Sequence, residues 1–234
     1  MKEKIQQLSL TERILFSKNR KEITRLDLPM PIFVMRDHDR AGKIWDQAYA
    51  EGIISQATLV HIDAHDDLAF HTPLPTSFAQ LQMGNYEVGS FIIPRVVVGI
   101  IGKMYWVIPR SMPQQYVQHP MPQMNNPVIR YPQSLLHEKV NAALQLEVTC
   151  EIPEVTADLL DLDLDFFTYN LSGYIPDYVL KLRIKQYLHK VFTAVQKPKI
   201  ITIATSPGYI QCNRERPVLD AALAVVQTFF SASQ

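Results

Sequence analysis

The 234-residue chain predicts an α/β fold: three layers, α/β/α, around a mostly parallel central sheet. Three observations carry this reading. Short apolar runs such as IFV (32–34) and ATLVHI (57–62) are separated by stretches with helical spacing of their apolar residues. A helix between two such strands implies a right-handed crossover, which parallel pairing requires. A content of 47% hydrophobic and 20% charged residues is that of an ordinary globular domain with a sizeable core.

Taken in order, residues 1–25 read as a polar N-terminal arm or helix. PMPIFVMR (29–36) reads as a strand opened by prolines. AGKIWDQAYAEGII (41–54) has Ile44, Ala48 and Ile53 on one helical face and ends near Gly52. ATLVHI is the second strand, and KMYWVIP (103–109) the third, closed by Pro109. Residues 109–133 hold six prolines with many Gln and Asn, a long Pro-rich loop of the kind that forms insertions or walls of sites. VTADLLDLDLDFF (155–167) is a fourth strand, DYVLKLRIKQYLHKVFTAV (177–195) an amphipathic helix, and KPKIITIATSP (197–207) a fifth strand. RPVLDAALAVVQTFF (216–230) closes the chain as a helix with Pro217 near its start. The whole, 1–234, reads as a single domain.

Composition narrows the function. The formal net charge is zero and the pI about 7.1, which gives a phosphate backbone no field to follow, so no nucleic-acid partner is expected. No membrane span is expected either. FIIPRVVVGIIG (91–102) is interrupted by Pro94 and Arg95 and falls short of the ~18 apolar residues a span needs. The N-terminus has no secretory apolar region, and Cys150 and Cys212 read as two buried thiols, so the expected location is cytoplasmic.

The chemistry lies at three strand ends. In VHIDAHDD (60–67), side-chain alternation sends Val60 and Ile62 one way and His61 and Asp63 the other. Asp63 falls at the carboxyl end of the strand, with His65 and Asp67 just beyond, where ligands bind in open parallel sheets. In LLDLDLDFF (159–167), Asp161, Asp163 and Asp165 alternate with leucines and repel one another unless something cationic lies between them. After the first strand, VMRDHDRA brings Asp37, His38 and Asp39. A carboxylate-rich set with imidazoles and no thiolate suits Mn²⁺, Fe²⁺, Co²⁺ or Zn²⁺. The excess of carboxylates favours Mn²⁺. Five or six ligands are too many for one tetrahedral zinc, and two ions roughly 3.5 Å apart are the natural arrangement, sharing a water of lowered pKa.

These residues resemble the arginase/deacetylase superfamily, in its ureohydrolase branch. IDAHDD matches that family's D-A-H-x-D at Asp63, Ala64, His65 and Asp67; DLDFF matches its D-x-D strand end at Asp163 and Asp165; His38 lies 25 residues before Asp63, where the family has its first metal-binding histidine. HTPLPTS (71–77) is similar to the T-P-rich loop that follows. Asp161 and Asp163 are the alternative D-x-D pair; Asp165 is preferred because it precedes the turn leaving the strand. The resemblance implies two Mn²⁺ per chain. Asp63 and Asp163 would bridge them, His38 and Asp67 would complete one shell, His65 and Asp165 the other, and Asp67 would also orient the attacking water. Asp161 would lie behind the ligands.

The chain departs from arginases of free arginine. Ala204 stands about where the guanidinium-reading acid would be, and the proton-shuttling histidine has only His71 as a substitute. GSFIIPRVVVGIIGKMYWVIP, TIATSPGY and DLDLDFF are similar to a family of arginase-like hydrolases, over about residues 31–225, some of whose members are peptide arginases of ribosomal peptide maturation. That resemblance implies hydrolysis of arginine to ornithine and urea within a precursor peptide, with Asp67 catalytic. His71, as the nearest substitute for the shuttling histidine, is the second catalytic candidate, and Asp66, Asp39 and Glu87, which lie near the motifs, are the candidate guanidinium-binding acids. A homo-oligomer is compatible with it. Other readings are a small-molecule amidinohydrolase, a zinc-dependent amide hydrolase of the deacetylase branch, and a binding protein that has lost catalysis.

Overall fold

A computed structural model describes residues 22–69, 73–110, 140, 142–169, 175–210 and 213–231. In chain order the elements are β1 (Ile23–Arg25), β2 (Ile32–Met35), α1 (Asp39–Ala50), β3 (Ala57–Ile62), α2 (Phe78–Met83), α3 (Ile92–Val97), β4 (Ile101–Val107), β5 (Gln145–Thr149), β6 (Val155–Thr156), β7 (Leu159–Asp163), a 3₁₀ turn (Leu164–Phe167), α4 (Asp177–Ala194), β8 (Val195–Gln196), β9 (Ile200–Ala204) and α5 (Glu215–Ser231).

Seven strands form one sheet in the order β1-β2-β9-β7-β3-β4-β5. Only the β1–β2 pair is antiparallel; the other five pairs are parallel. The mostly parallel α/β class is therefore as the sequence indicates. The central strands explain themselves: every residue of β7 and β9 is buried, as in a sheet covered on both faces. One face carries the core of Trp45, Leu81, Phe91 and Ile92 from α1, α2 and α3. The other carries Leu180, Ile184, Leu188, Val218 and Leu223 from α4 and α5.

Some boundaries differ from the sequence reading. The arm assigned to 1–25 ends in strand β1, and residues 1–21 lie outside the described residues. Strand β5 was not foreseen, because QLEVT is short and half polar. FIIPRVV contains helix α3, whose Pro94 sits in the first turn, where its missing N–H costs nothing. Of the Pro-rich stretch 109–133, only Pro109 and Arg110 are described. Strand β7 ends at Asp163, so Asp165 reaches the sheet edge from the 3₁₀ turn rather than by strand alternation.

A buried ion pair ties α1 to α3. Arg95 Nη2 donates to Asp46 Oδ2 at 2.6 Å, Nε to the Gly42 carbonyl at 3.0 Å and Nη1 to the Phe91 carbonyl at 2.6 Å. Gly42 is required there, since a Cβ would meet the Arg95 guanidinium. The lock also aims Phe91, whose ring lies 5.1 Å from that of His38.

Candidate metal centre

The carboxyl ends of β2, β3 and β7 converge, with β9 running between β2 and β7. His38 is the residue that starts α1, but its side chain caps no helix N–H and turns into the site instead. Two of the motifs use one local device. Asp63 Oδ1 accepts the backbone N–H of His65 at 2.7 Å, and Asp163 Oδ1 accepts that of Asp165 at 3.0 Å. Each aspartate thus closes a tight turn on itself, presents the next ligand two residues on, and keeps its Oδ2 for the centre. Trp106 Nε1–H holds the Asp63 carbonyl at 3.1 Å.

The His38 Nδ1 atom lies 2.9 Å from Asp67 Oδ2, 3.0 Å from Asp163 Oδ2 and 3.2 Å from Asp63 Oδ2. The His65 Nδ1 atom lies 2.9 Å from Asp165 Oδ2 and 3.5 Å from Asp63 Oδ1. Three groups able to hold an ion result: His38–Asp63–Asp67 and Asp63–His65–Asp165, which share Asp63, and His38–His61–Asp161 on the far side of the His38 ring. Asp67 has φ +51° and Ser206 φ +42°. Left-handed backbone at two non-glycine residues of one site costs on the order of 1 kcal/mol each, so the surrounding structure holds these loops in place.

The electrostatics call for cations. Burial pushes Asp67 up, and the charge of Asp63 adds to it, to about 7. Burial, with the charges of Asp163 and Asp63, raises Asp165 well above the usual range. Burial opposes ionisation of Asp63 too, but hydrogen bonds from His38 and His65 prevail and hold it well below the ordinary carboxylate range. Burial likewise opposes the charge on His65, yet Asp165 and Asp63 raise it to about 11. The oxygens Asp63 Oδ2, Asp67 Oδ2 and both of Asp165 are buried, and the imidazoles of His38 and His65 are the polar side chains set against them. Two imidazoles are too few partners for so many buried carboxylate oxygens, which is costly, and a divalent ion offsets that cost. The donor set therefore fits divalent metal.

Behind the centre lies a layer of which sequence reasoning placed Asp161 but not its partners. Asp161 is fully buried, and its Oδ2 receives His38 Nε2 and His61 Nδ1, each at 2.8 Å. Its Oδ1 receives Thr202 Oγ1 at 2.5 Å. Burial works against its charge, but the two imidazoles hold it down at about 2, so it is an acceptor only. His61 completes the layer through Nε2, 3.2 Å from the His65 carbonyl. With acceptors at both ring nitrogens, it is best satisfied as the cation. Burial opposes this, yet Asp161 and Asp63 raise it to about 9. Ser206 hydrogen-bonds through its hydroxyl to Asp163 Oδ2. The alternation placing His61 beside Asp63 was a usable signal for His61. Nothing in ITIATSP marks Thr202 or Ser206, which reach the site only because β9 lies between β2 and β7.

The centre opens into a cavity of about 140 Å³ whose lining includes His38, His65, Asp66, Asp67, Asp163 and Asp165, together with Ser206 and Tyr209. Tyr209 is 58% exposed and stands edge-on to His65 at 5.0 Å. Of the three acids proposed to read a guanidinium, Asp66 lines this cavity. Asp39 sits in the first turn of α1 and pairs with Arg40 at 2.8 Å. Glu87 is exposed, while its neighbours Val88 and Gly89 line the cavity. His71 lies outside the described residues. A larger groove of about 720 Å³ between α4 and α5 is lined by Lys181, Lys185, His189 and Asp220 among others and gathers no comparable ligand set.

No family model and no curated protein matches the chain. Among solved structures it is similar to an arginase from Medicago truncatula, with a TM-score of 0.46 and 13% identity over 84% of this chain and 58% of that one. It is also similar to a proclavaminate amidinohydrolase from Streptomyces clavuligerus, with a TM-score of 0.38 and 16% identity over 83% of this chain and 62% of that one. The chain thus spans about three fifths of either protein. No helix among the described residues is long and apolar enough to cross a membrane.

Proposed function

We propose that this chain is a binuclear manganese hydrolase that converts arginine residues of a ribosomally made precursor peptide to ornithine, releasing urea. The observation that carries the metal reading is the convergence of His38, His65, Asp63, Asp67, Asp163 and Asp165, with four buried carboxylate oxygens set against only two imidazoles. His38 and Asp67 would hold one ion, His65 and Asp165 the other, with Asp63 and Asp163 between them. When bound, such a pair supplies Lewis-acid charge and lowers the pKa of a shared water.

The chain's own residues prepare the rest. Asp161 keeps a proton on His38 Nε2 and so leaves Nδ1 as the donor atom. The left-handed backbone at Asp67 carries its carboxylate to the cavity wall, where it can orient the attacking water and take its proton. Ser206 fixes the Asp163 carboxylate. Apart from histidine, the described residues lining the cavity include no basic side chain, and they include Asp66 and the exposed ring of Tyr209. That lining suits a planar cation, which pairs with carboxylate and stacks on aromatic faces.

Ala204 sits fully buried at the end of β9 and offers no acid, so the guanidinium, which peptidyl and free arginine share, would be read by another carboxylate, such as Asp66 in the cavity wall. A peptidyl arginine has no free α-ammonium or α-carboxylate to pair. Incubation of the Mn²⁺-loaded protein with free arginine and with arginine-containing peptides, followed by urea measurement and peptide mass, tests this. Ornithine-containing peptide and little turnover of free arginine are expected. Rapid turnover of free arginine with untouched peptides would reject the peptide reading and spare the amidinohydrolase one.

A further inference from the structure

The two halves of the centre are built differently. His38 is buried, with its Nε2 held by Asp161 and its Nδ1 facing Asp63, Asp67 and Asp163 within 3.2 Å. Its ring is further confined by Phe91 at 5.1 Å and by the parallel ring of His61 at 5.5 Å. His65, by contrast, is 33% exposed in its side chain, and its flanking rings are the exposed Tyr209 at 5.0 Å and, farther off, Tyr169 at 6.5 Å.

From this asymmetry we infer that Asp161, clamped by His61 and Thr202, is a positioning residue that makes the His38 half-site the tighter of two unequal metal sites, so that the ions load in order, His38 side first. The inference rests on the metal reading above. The physical reason is preorganisation. An imidazole whose far N–H is held by a carboxylate is fixed in tautomer and orientation and is a stronger donor. Asp161 is itself fixed, since its Oδ2 takes both imidazoles and its Oδ1 takes the Thr202 hydroxyl from the neighbouring strand. Strands β3, β7 and β9 and the start of α1 thus meet at one carboxylate behind His38. Among the described residues, no carboxylate hydrogen-bonds the ring of His65 from behind. Its Nδ1 faces Asp165 and Asp63, the ligands of its own half-site, while the remainder of the ring faces the cavity. A ligand one-third exposed must be ordered as the ion arrives.

The test is Mn²⁺ titration of the metal-stripped full chain, read by the electron paramagnetic resonance signal of free Mn²⁺, with circular dichroism reporting the fold. The wild-type chain should bind in two steps. Asp161→Asn should weaken the tighter step about 10–100-fold and leave the weaker step unchanged, whereas His65→Asn should remove the weaker step alone. Thr202→Val keeps the shape of the strand and deletes one hydrogen bond to Asp161, so it should weaken the tighter step by a smaller factor even if Asp161→Asn does not fold. A single class of equal sites, or variants of Asp161 and Thr202 that alter the weaker step or both alike, would overturn the inference. A wild-type chain that takes up no Mn²⁺ would overturn the function proposed above together with it.

Discussion

Replacing Arg95 by Met should unfold the chain far more easily, although Arg95 is remote from the cavity lining. The guanidinium is buried against Asp46, Gly42 and Phe91. Burial pulls Arg95 down and pushes Asp46 up from their ordinary values, against their mutual attraction. The pair is therefore poised rather than strongly stabilising, and the cost lies in breaking it. Deleting the cation leaves the Asp46 carboxylate buried and unpaired, worth about 3–5 kcal/mol. In a chain of this size each kcal/mol moves the melting temperature by ~2–4 °C, so a fall of about 6–20 °C is expected. The double variant Arg95→Met, Asp46→Leu removes both charges and should recover most of that loss, because apolar replacements of buried pairs are often neutral or stabilising. Thermal unfolding followed by circular dichroism reads both variants. A single variant that melts within about 2 °C of wild type, or a double variant as damaged as the single, would refute the reasoning.

Other expectations concern the centre directly. Asp63→Asn should abolish urea release more completely than His38→Ala, since the proposed arrangement sets Asp63 beside both the His38–Asp67 and the His65–Asp165 halves of the centre and His38 in one of them; retention of wild-type turnover and full metal content by Asp63→Asn would contradict the assignment. The metal-free chain should lose stability as pH rises. Asp67 is raised from 3.8 to about 7 and His61 from 6.5 to about 9, so each contributes stability that is full below its unfolded value and lost as pH passes its folded value. Asp161 and Asp63 are lowered and act with the opposite sign, but only below about 4, where their unfolded values lie. Melting temperatures in chelator should therefore fall between about pH 5 and pH 9, and Mn²⁺ should reverse the trend because it binds the deprotonated ligands. A chelated chain more stable at pH 9 than at pH 6 would contradict this.

How much of this the sequence discloses follows from how local each signal is. The strand ATLVHI and the turn DAHDD are contiguous, so His65 and Asp67 could be placed just past a strand end and are found there. The three-layer α/β class follows from the alternation of elements, which short-range periodicity carries. Strand order does not, because β9 enters between β2 and β7 from the far end of the chain, bringing Thr202 and Ser206 to aspartates 41 and 43 residues earlier. The pairing of Asp161 with two histidines, 123 and 100 residues away, is equally non-local. Alternation suggested that Asp161, Asp163 and Asp165 share a face, and all three do approach the site. Asp165 does so because Asp163 caps the 3₁₀ turn that carries it, a device set by backbone hydrogen bonding and not by period.

The central claim is that six side chains from three strand ends hold two divalent ions. It is tested most directly by counting metal in the full-length chain after saturation with Mn²⁺ and removal of excess, using inductively coupled plasma mass spectrometry against protein concentration from amino-acid analysis. The account expects close to two Mn²⁺ per chain, both removed by chelator. One tightly held Zn²⁺ per chain, with no second ion taken up at any Mn²⁺ concentration, would contradict it.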